Sequence, residues 1–260
     1  MRLDKFLAQS SVGRRKDVRL YIKDGKVKVN EKLVLEPSME IDELRDIIKY
    51  NENIVKYVEK VYYIFNKPAG CVTATKDKDF KTVFDYFSDI NTNGLFHVGR
   101  LDKDTEGLLL LTNDGDFEHY LMHPENHMEK TYFLWAFGNI NDEDIKKLEN
   151  GLYIGKNEPI TKPAKFKLHK QGGYNEFKEQ IPVELLNNID SKKYNQPVIS
   201  GYLTISEGRK HQVKRMLKAV GCYVVYLERV AIGEVKLDKK LERGQYRELS
   251  ALEVESLMKS

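Results

Sequence analysis

Apolar positions along this chain recur first at a helical and then at a strand period, and the changes of period mark out its elements. Leu3, Phe6 and Leu7 fall at i, i+3, i+4 and predict a short first helix. Gly13 breaks the pattern, and a second helix is predicted from about Arg14, with Val18 and Ile22 facing inward and Arg15, Arg19 and Lys23 lining the other face at i, i+4, i+8. Asp24-Gly25 ends it. Val27 and Val29 then alternate with Lys26 and Lys28, and Asn30-Glu31 turns the strand back toward Leu33 and Val34. After Pro37 come strand-like and charged segments with a turn at Asn51-Glu52-Asn53. A polar stretch from Tyr57 to Lys60 reads as a boundary.

Beyond the boundary, Val61 to Phe65 forms an apolar strand that must stop by Pro68, which cannot donate to a central ladder. Leu108 to Leu111 is a continuous apolar run, the pattern of a buried strand. Hairpin signals stand at Asn113-Asp114-Gly115 and Gly172-Gly173. Tyr202, Leu203 and Ile205 form a strand, and Gly208 permits a sharp entry to a helix. On that helix Val213, Met216, Leu217 and Val220 face the core, and Lys210, Lys214 and Lys218 make a second stripe. Strands and short helices in this irregular order predict an α+β fold: a small α/β module over 1–57 and a larger domain over 58–260 built on a mostly antiparallel mixed sheet with flanking helices.

Composition narrows the class. The 260 residues are 41% hydrophobic and 32% charged, the balance of a soluble globular protein, and no stretch approaches the roughly 20 apolar residues of a membrane span. The opening Met1-Arg2-Leu3-Asp4 lacks the apolar core of a signal peptide, and Cys71 and Cys222 stand in no paired motif, so a cytoplasmic protein is expected. Residues 1–32 hold ten Lys and Arg against four acids, net +6, whereas the whole chain carries +3. A basic module on a near-neutral body suits a polyanionic partner; a solvated basic face is the plainer alternative.

Three segments carry candidate chemistry. In Gly99-Arg100-Leu101-Asp102-Lys103-Asp104-Thr105-Glu106-Gly107 one carboxylate, Asp102, sits between two basic side chains just before the buried strand. Neighbouring positive charge favours the anion, and an ionised carboxylate at a cleft can act as nucleophile or base. Acids in such loops also cap helices and close turns, and this stretch alone leaves both readings open. Ser206-Glu207-Gly208-Arg209-Lys210-His211-Gln212-Val213-Lys214-Arg215-Met216 puts cations at a helix start, an anion-binding arrangement or an ordinary lysine-rich solvent face. Glu129-Lys130-Thr131-Tyr132 opens an aromatic strand whose tyrosine either packs in the core or stacks on a nucleobase. His119, His123 and His127 share a helical spacing, but Pro124 interrupts it, so no metal site is expected; no Walker loop or GxGxxG points to a nucleotide cofactor.

Arg2-Leu3-Asp4-Lys5-Phe6-Leu7 with Gly25-Lys26-Val27-Lys28-Val29-Asn30 resembles the S4 RNA-binding domain. Across the whole chain, Tyr63-Ile64-Phe65-Asn66-Lys67-Pro68-Ala69-Gly70, Gly99 to Leu110, Glu129 to Tyr132, Thr161-Lys162-Pro163-Ala164, Glu207 to Met216 and Arg247-Glu248-Leu249 resemble, in order, the RsuA-type family of ribosomal RNA pseudouridine synthases. That resemblance implies an enzyme without cofactor that isomerises a uridine flipped out of ribosomal RNA or an assembling ribosomal particle. It implies that Asp102 is the essential aspartate, Tyr132 the tyrosine against the target base, Lys214 the cation paired with Asp102, Leu217 an apolar pocket residue beside Leu101, and Arg100 the residue that helps displace the uridine. Expected RNA contacts are Arg2, Lys5, Arg14, Arg15, Lys16, Arg19 and Lys23 in the basic module, and Lys67, Arg209, Lys210, His211 and Arg215 in the body. Lys103-Asp104 and Glu129-Lys130-Thr131-Tyr132 look closer to the small-subunit (16S) branch. A large-subunit (23S) enzyme of the family and a non-catalytic ribosome-assembly factor are the alternatives, and a monomer is expected by default.

Overall fold

A computed structural model describes residues 1–10, 12–177 and 196–259. The N-terminal module packs helices α1 (Leu3–Gln9) and α2 (Arg15–Lys23) on a four-stranded sheet of β1 (Val27–Val29), β2 (Lys32–Leu33), β3 (Ile48–Tyr50) and β4 (Asn53–Ile54), in the order β2-β1-β3-β4. Leu3, Phe6 and Leu7 of the first helix meet Val18 and Ile22 of the second over Val27, Val29 and Ile48. Both hairpins turn on paired left-handed residues, Asn30-Glu31 and Asn51-Glu52, which match the twist of the strands they join. Val55 and Tyr57 still pack on this core, and the next strand begins at Tyr62.

The cation stripe on α2 is less free than its spacing suggests. Asp4 is fully buried and accepts hydrogen bonds from Arg2, Arg15 and Arg19. Burial pushes its carboxyl up, but the Arg15 and Arg19 hydrogen bonds outweigh this and hold it below the usual carboxylate range. Arg15 and Arg19 therefore tie α2 to α1 while each keeps about half its side chain exposed (47% and 49%).

Among the described residues the larger domain carries a nine-stranded sheet. Its strands are β5 (Tyr62–Lys67), β6 (Phe96–Val98), β7 (Glu106–Thr112), β8 (Lys130–Phe137), β9 (Lys165–Gly173), β10 (Pro197–Ile205), β11 (Tyr223–Ile232), β12 (Val235–Lys236) and β13 (Tyr246–Glu248). The main path runs β13-β5-β7-β11-β8-β10-β9, with β12 on β11 and β6 on β7. Every pairing is antiparallel except β7 with β11, where Glu228 and Arg229 lie opposite Glu106 and Gly107. Among the described residues the α-helices are α3 (Gly115–Met122), α4 (Asp142–Asn150), α5 (Tyr174–Phe177), α6 (Gln212–Ala219) and α7 (Ala251–Lys259). Both faces of β7 are covered, which is why its apolar run is unbroken. Leu109 and Leu111 enter the core beneath α6 with Phe65 and Met216, and Leu108 and Leu110 enter the core beneath α3 and α7 with Phe117 and Leu257.

Two turn expectations are corrected. Asn113-Asp114-Gly115 does not form a hairpin: Asp114 caps α3, its side chain accepting from the Asp116 N–H at 3.1 Å, so the chain leaves β7 into a helix. Gly172-Gly173 ends β9 and leads into α5; β10 does return antiparallel, with Pro197 opposite Gly173, but not through a tight turn at the glycines.

Gly107, at φ +95°, allows the parallel crossing. A Cβ there would stand 2.4 Å from the Arg229 carbonyl oxygen and 2.9 Å from its nitrogen. Gly70 shares the positive φ (+88°) but has open space around it. Gly70→Ala should cost only the left-handed strain, about 1 kcal/mol, whereas Gly107→Ala adds a backbone clash and should cost about 3 kcal/mol or more. Urea unfolding of the two variants beside wild type measures the difference; equal costs would mean that the crossing tolerates a side chain.

Candidate active site

Where β7 and β11 part, a cavity of about 270 Å³ opens between the loop that precedes β7, strands β8 and β11, and the entry to α6. The loop supplies Arg100, Leu101 and Asp102, β8 supplies Lys130 and Tyr132, and His211, Val213 and Lys214 come from the α6 entry. Leu101 and Tyr132 are buried, Asp102 and Lys214 are partly exposed, and Arg100 and His211 are exposed at the rim. The geometry thus sets a carboxylate and cations at a mouth and an aromatic ring on the inner wall.

The loop bearing Asp102 is fixed from below. Lys67, fully buried, donates to the carbonyls of Pro68 (3.1 Å), Asp102 (3.0 Å), Lys103 (3.3 Å) and Thr105 (2.9 Å). Burial lowers its pKa, against which Cys71 and the nearby Asp104, Glu106 and Asp102 act to raise it. Thr73 Oγ1 accepts from the Leu101 N–H at 3.2 Å and donates to the Leu101 carbonyl at 2.8 Å. The peptide groups on either side of Asp102 are therefore held by side chains that the loop's own sequence does not contain.

Around the Asp102 carboxylate, His211 Nε2 lies 3.5 Å from Oδ1 and Lys214 Nζ lies 3.9 Å from Oδ2. Lys214 is closer to Asp104, at 2.5 Å. Burial raises the Asp104 carboxyl, and the hydrogen bond and charge of Lys214 outweigh it, leaving Asp104 below its ordinary value. Lys214, expected to pair with Asp102, is thus shared between two carboxylates and serves Asp104 first. His211 takes a left-handed backbone (φ +53°), and this conformation just ahead of α6 turns its ring toward Asp102.

Burial and bonding give several of the expected RNA contacts a structural role. Lys67 is sealed beneath the loop. Arg209 spends its guanidinium on the carbonyls of Pro159 (2.6 Å) and Ile160 (2.7 Å) and on Glu207. Arg215 holds the Ile154 and Lys210 carbonyls and Glu158. Both brace the 154–160 segment against the α6 entry. Leu217 is buried one turn too far along α6 to line the cavity; Val213 does so instead. Lys210 precedes the helix and stays exposed, so the lysine stripe begins at Lys214.

In the basic module, Lys5, Arg14 and Arg15 line a second cavity of about 870 Å³ that faces Asn93 to Phe96 and Asp116 of the larger domain. Lys5 pairs across it with Asp116, and Gln9 Nε2 donates to the Val58 carbonyl at 3.0 Å. Lys16 and Lys23 are exposed, and Arg14 pairs with Asp17. The His119 and His123 rings lie tilted against each other with centroids 5.3 Å apart, while His127 Nδ1 meets Lys162 Nζ at 2.9 Å. Among the described residues no group of three or more His, Cys, Asp or Glu could hold a metal, and no helix is long and apolar enough to cross a membrane.

Of the basic residues that line the cavity, two were not foreseen as such, Lys130 and Arg229. Burial and the neighbouring Arg229 charge push the Lys130 ammonium down to about 8. Lys130 was visible only as part of a motif, and Arg229 only as a charge sharing the inward parity of Leu227 on β11.

Comparison with known proteins agrees with this architecture. The RNA pseudouridylate synthase family matches residues 61–219 and the S4 domain matches residues 1–47. The chain is 41% identical to an uncharacterized RNA pseudouridine synthase of Bacillus subtilis, over 99% of this chain and 98% of that protein. It is 36% identical, over the full length of both, to a ribosomal small subunit pseudouridine synthase A of Haemophilus influenzae, and 38% identical, over 98% and 95%, to a ribosomal large subunit pseudouridine synthase B of Bacillus subtilis. A crystal structure of a pseudouridylate synthase superposes with a TM-score of 0.64 at 34% identity, covering 99% of each chain. The chain belongs to the RNA pseudouridylate synthase family, and within it to the RsuA type that carries an S4 domain. It is an isomerase acting on RNA.

Lys67→Met should leave the carbonyls around Asp102 without their donor, at a cost of about 3 kcal/mol. Urea unfolding would show the loss; a variant as stable as wild type would mean that the loop holds itself.

Proposed function

We propose that the chain converts one uridine of ribosomal RNA to pseudouridine and that Asp102 is the carboxylate that reacts. The observation that carries this reading is the Asp102 carboxylate, partly exposed at the cavity mouth, with His211 and Lys214 beside it and Tyr132 on the wall behind. A glycosidic bond inside folded RNA is out of reach, so the nucleotide must leave its stack, at a cost of a few kcal/mol. Arg100 on the rim fills the place of the departing base, and Tyr132 receives its face. His211 and Lys214 stand beside the Asp102 carboxylate in a site from which the base excludes water. We assign residues 1–57 to RNA binding and 58–260 to the reaction, because β4 belongs to the first sheet, Val55 and Tyr57 pack on the first core, and Tyr62 opens the second sheet.

Small-subunit RNA is the favoured target. Lys103-Asp104 follows the aspartate, Asp104 holds Lys214, and the Haemophilus relative named for the small subunit aligns end to end. The 38% identity to a large-subunit enzyme supports the second reading, a 23S target. The chain works as a monomer in the cytoplasm, where ribosomal RNA is made and assembled.

Asp102→Asn should abolish tritium release from RNA labelled at uridine C5, the position that loses its hydrogen in this isomerisation, and leave RNA affinity within a few fold. A variant that keeps near wild-type release would remove Asp102 from the reaction. In the basic module, Lys16→Ala with Lys23→Ala should weaken binding and flatten its salt dependence by up to about 0.9 in slope per lost phosphate contact on duplex-like RNA. An unchanged slope in filter-binding assays would make this face a solvated surface only. Arg15 and Arg19 are left in place because they neutralise Asp4.

A further inference from the structure

The inner end of the cavity holds two cations and no anion. Arg229 is 2% exposed. Its Nε donates to the Leu108 carbonyl at 2.7 Å, across the β7–β11 junction, but among the described residues Nη2 has no hydrogen-bond partner. Lys130 stands on the neighbouring strand, two residues from Tyr132, which lies opposite Arg229 in the β8–β11 register. Its Nζ makes one hydrogen bond, to the Met128 carbonyl at 2.9 Å. Among the described residues neither forms an ion pair, and the carboxylate that shares the cavity, Asp102, is flanked by His211 and Lys214.

A buried donor left unmet costs about 1–3 kcal/mol, and two like charges side by side raise that cost. Bracing the strand junction accounts for the Arg229 Nε but not for Nη2, nor for placing Lys130 beside it. The side chains between them and the mouth, Leu101, Tyr132, Leu227 and Ile232, offer an apolar or aromatic surface. The missing group is therefore a planar acceptor that enters past Tyr132 and becomes negative inside. A phosphodiester would be stopped earlier, at the exposed rim formed by Arg100, Lys210 and His211.

We infer that Arg229 and Lys130 form a subsite for the carbonyl oxygens of the flipped uracil, holding the base as an anion between its release from N1 and its reattachment through C5; this rests on Asp102 acting at the same cavity. When the N1–C1′ bond breaks, its electron pair stays on the base and spreads over O2 and O4, while the electron deficiency at C1′ is met by the Asp102 carboxylate. The base turns, an electron pair of the anion's C5=C6 bond forms C5–C1′ as Asp102 is released, C5 gives up its proton and N1 gains one. Atoms and electrons balance with no oxidant or reductant. The cation pair acts on the step at which the base carries its charge, where fixed positive groups in a water-poor site are most effective.

The test uses the full-length protein and free bases, so it does not depend on knowing the RNA. 5-Nitrouracil, whose nitro group makes it an anion at neutral pH, is titrated beside neutral uracil and inorganic phosphate. Wild type should bind the nitrouracil anion at least about tenfold more tightly than uracil, as expected for a hydrogen bond assisted by charge. Lys130→Met should erase that preference and Lys130→Arg should keep it. Arg229→Met should also erase it, with thermal unfolding recorded because that side chain braces two strands. Equal affinity of wild type for the two bases would overturn the inference, as would no saturable binding of the anion, a preference that survives Lys130→Met, or displacement of the anion by phosphate more readily than by uracil. Asp102→Asn should retain the preference. Failure of the reading of Asp102, seen as tritium release by that variant, is thus distinguishable from failure here.

Discussion

Glu106 and Gly107 of β7 run beside Glu228 and Arg229 of β11 for one short parallel stretch, at the middle of a sheet that is otherwise antiparallel. The approach there is so close that Gly107 has no room for a Cβ. The cavity lies beside this junction, lined by the loop before β7 and by strands β8 and β11, and one core packs on each face of the sheet there. Everything placed at the cavity follows. The loop before β7 delivers Asp102 to the mouth, β11 delivers Arg229 to the inner end, and β8, paired along β11, delivers Tyr132 and Lys130 to the wall. A side chain at Gly107 would force the two strands apart.

The electrostatics divide along the same axis. At the mouth, Lys214 lies between Asp102 and Asp104 with His211 beside Asp102, so the carboxylates there have partners and are partly hydrated. At the inner end Arg229 and Lys130 are unmatched. Beneath the loop a third cation, Lys67, meets only carbonyl groups. These cations serve different purposes: one sets the backbone, a second group lies beside the carboxylates, and the inner pair is the subsite we infer for the base. In the basic module the same economy appears in Arg15 and Arg19, which neutralise Asp4 in the fold and still present half their length to solvent.

Periodicity made the first module legible almost residue by residue, because short amphipathic helices and tight turns are local. The α1 stripe, the α2 stripe and both Asn-Glu turns follow from neighbours in sequence. The unbroken run at Leu108 also announced a strand covered on both faces. What was not legible depended on distant partners. Asp114 looks like a hairpin residue until its side chain is seen to cap α3. Arg209 and Arg215 look like RNA contacts until the carbonyls of 154–160 are found against them. Lys67 looks like a surface lysine beside Pro68 until the loop from residue 101 to 105 closes over it. Leu217 and Val213 differ by one turn of a helix whose tilt no periodicity reveals. Motifs named the site; only tertiary packing could say which of its cations remain free.

The most direct test of the account is to map pseudouridines by chemical labelling and primer extension. Unmodified small-subunit RNA, large-subunit RNA and partly assembled particles would be incubated with the purified wild-type protein. One new pseudouridine, at a single position in small-subunit RNA or its particle, is the predicted result. A single site in large-subunit RNA would move the target to the other subunit and leave the chemistry standing. No new site on any of these substrates, despite tight binding, would contradict the account and make the chain an RNA-binding assembly factor that has kept the synthase fold.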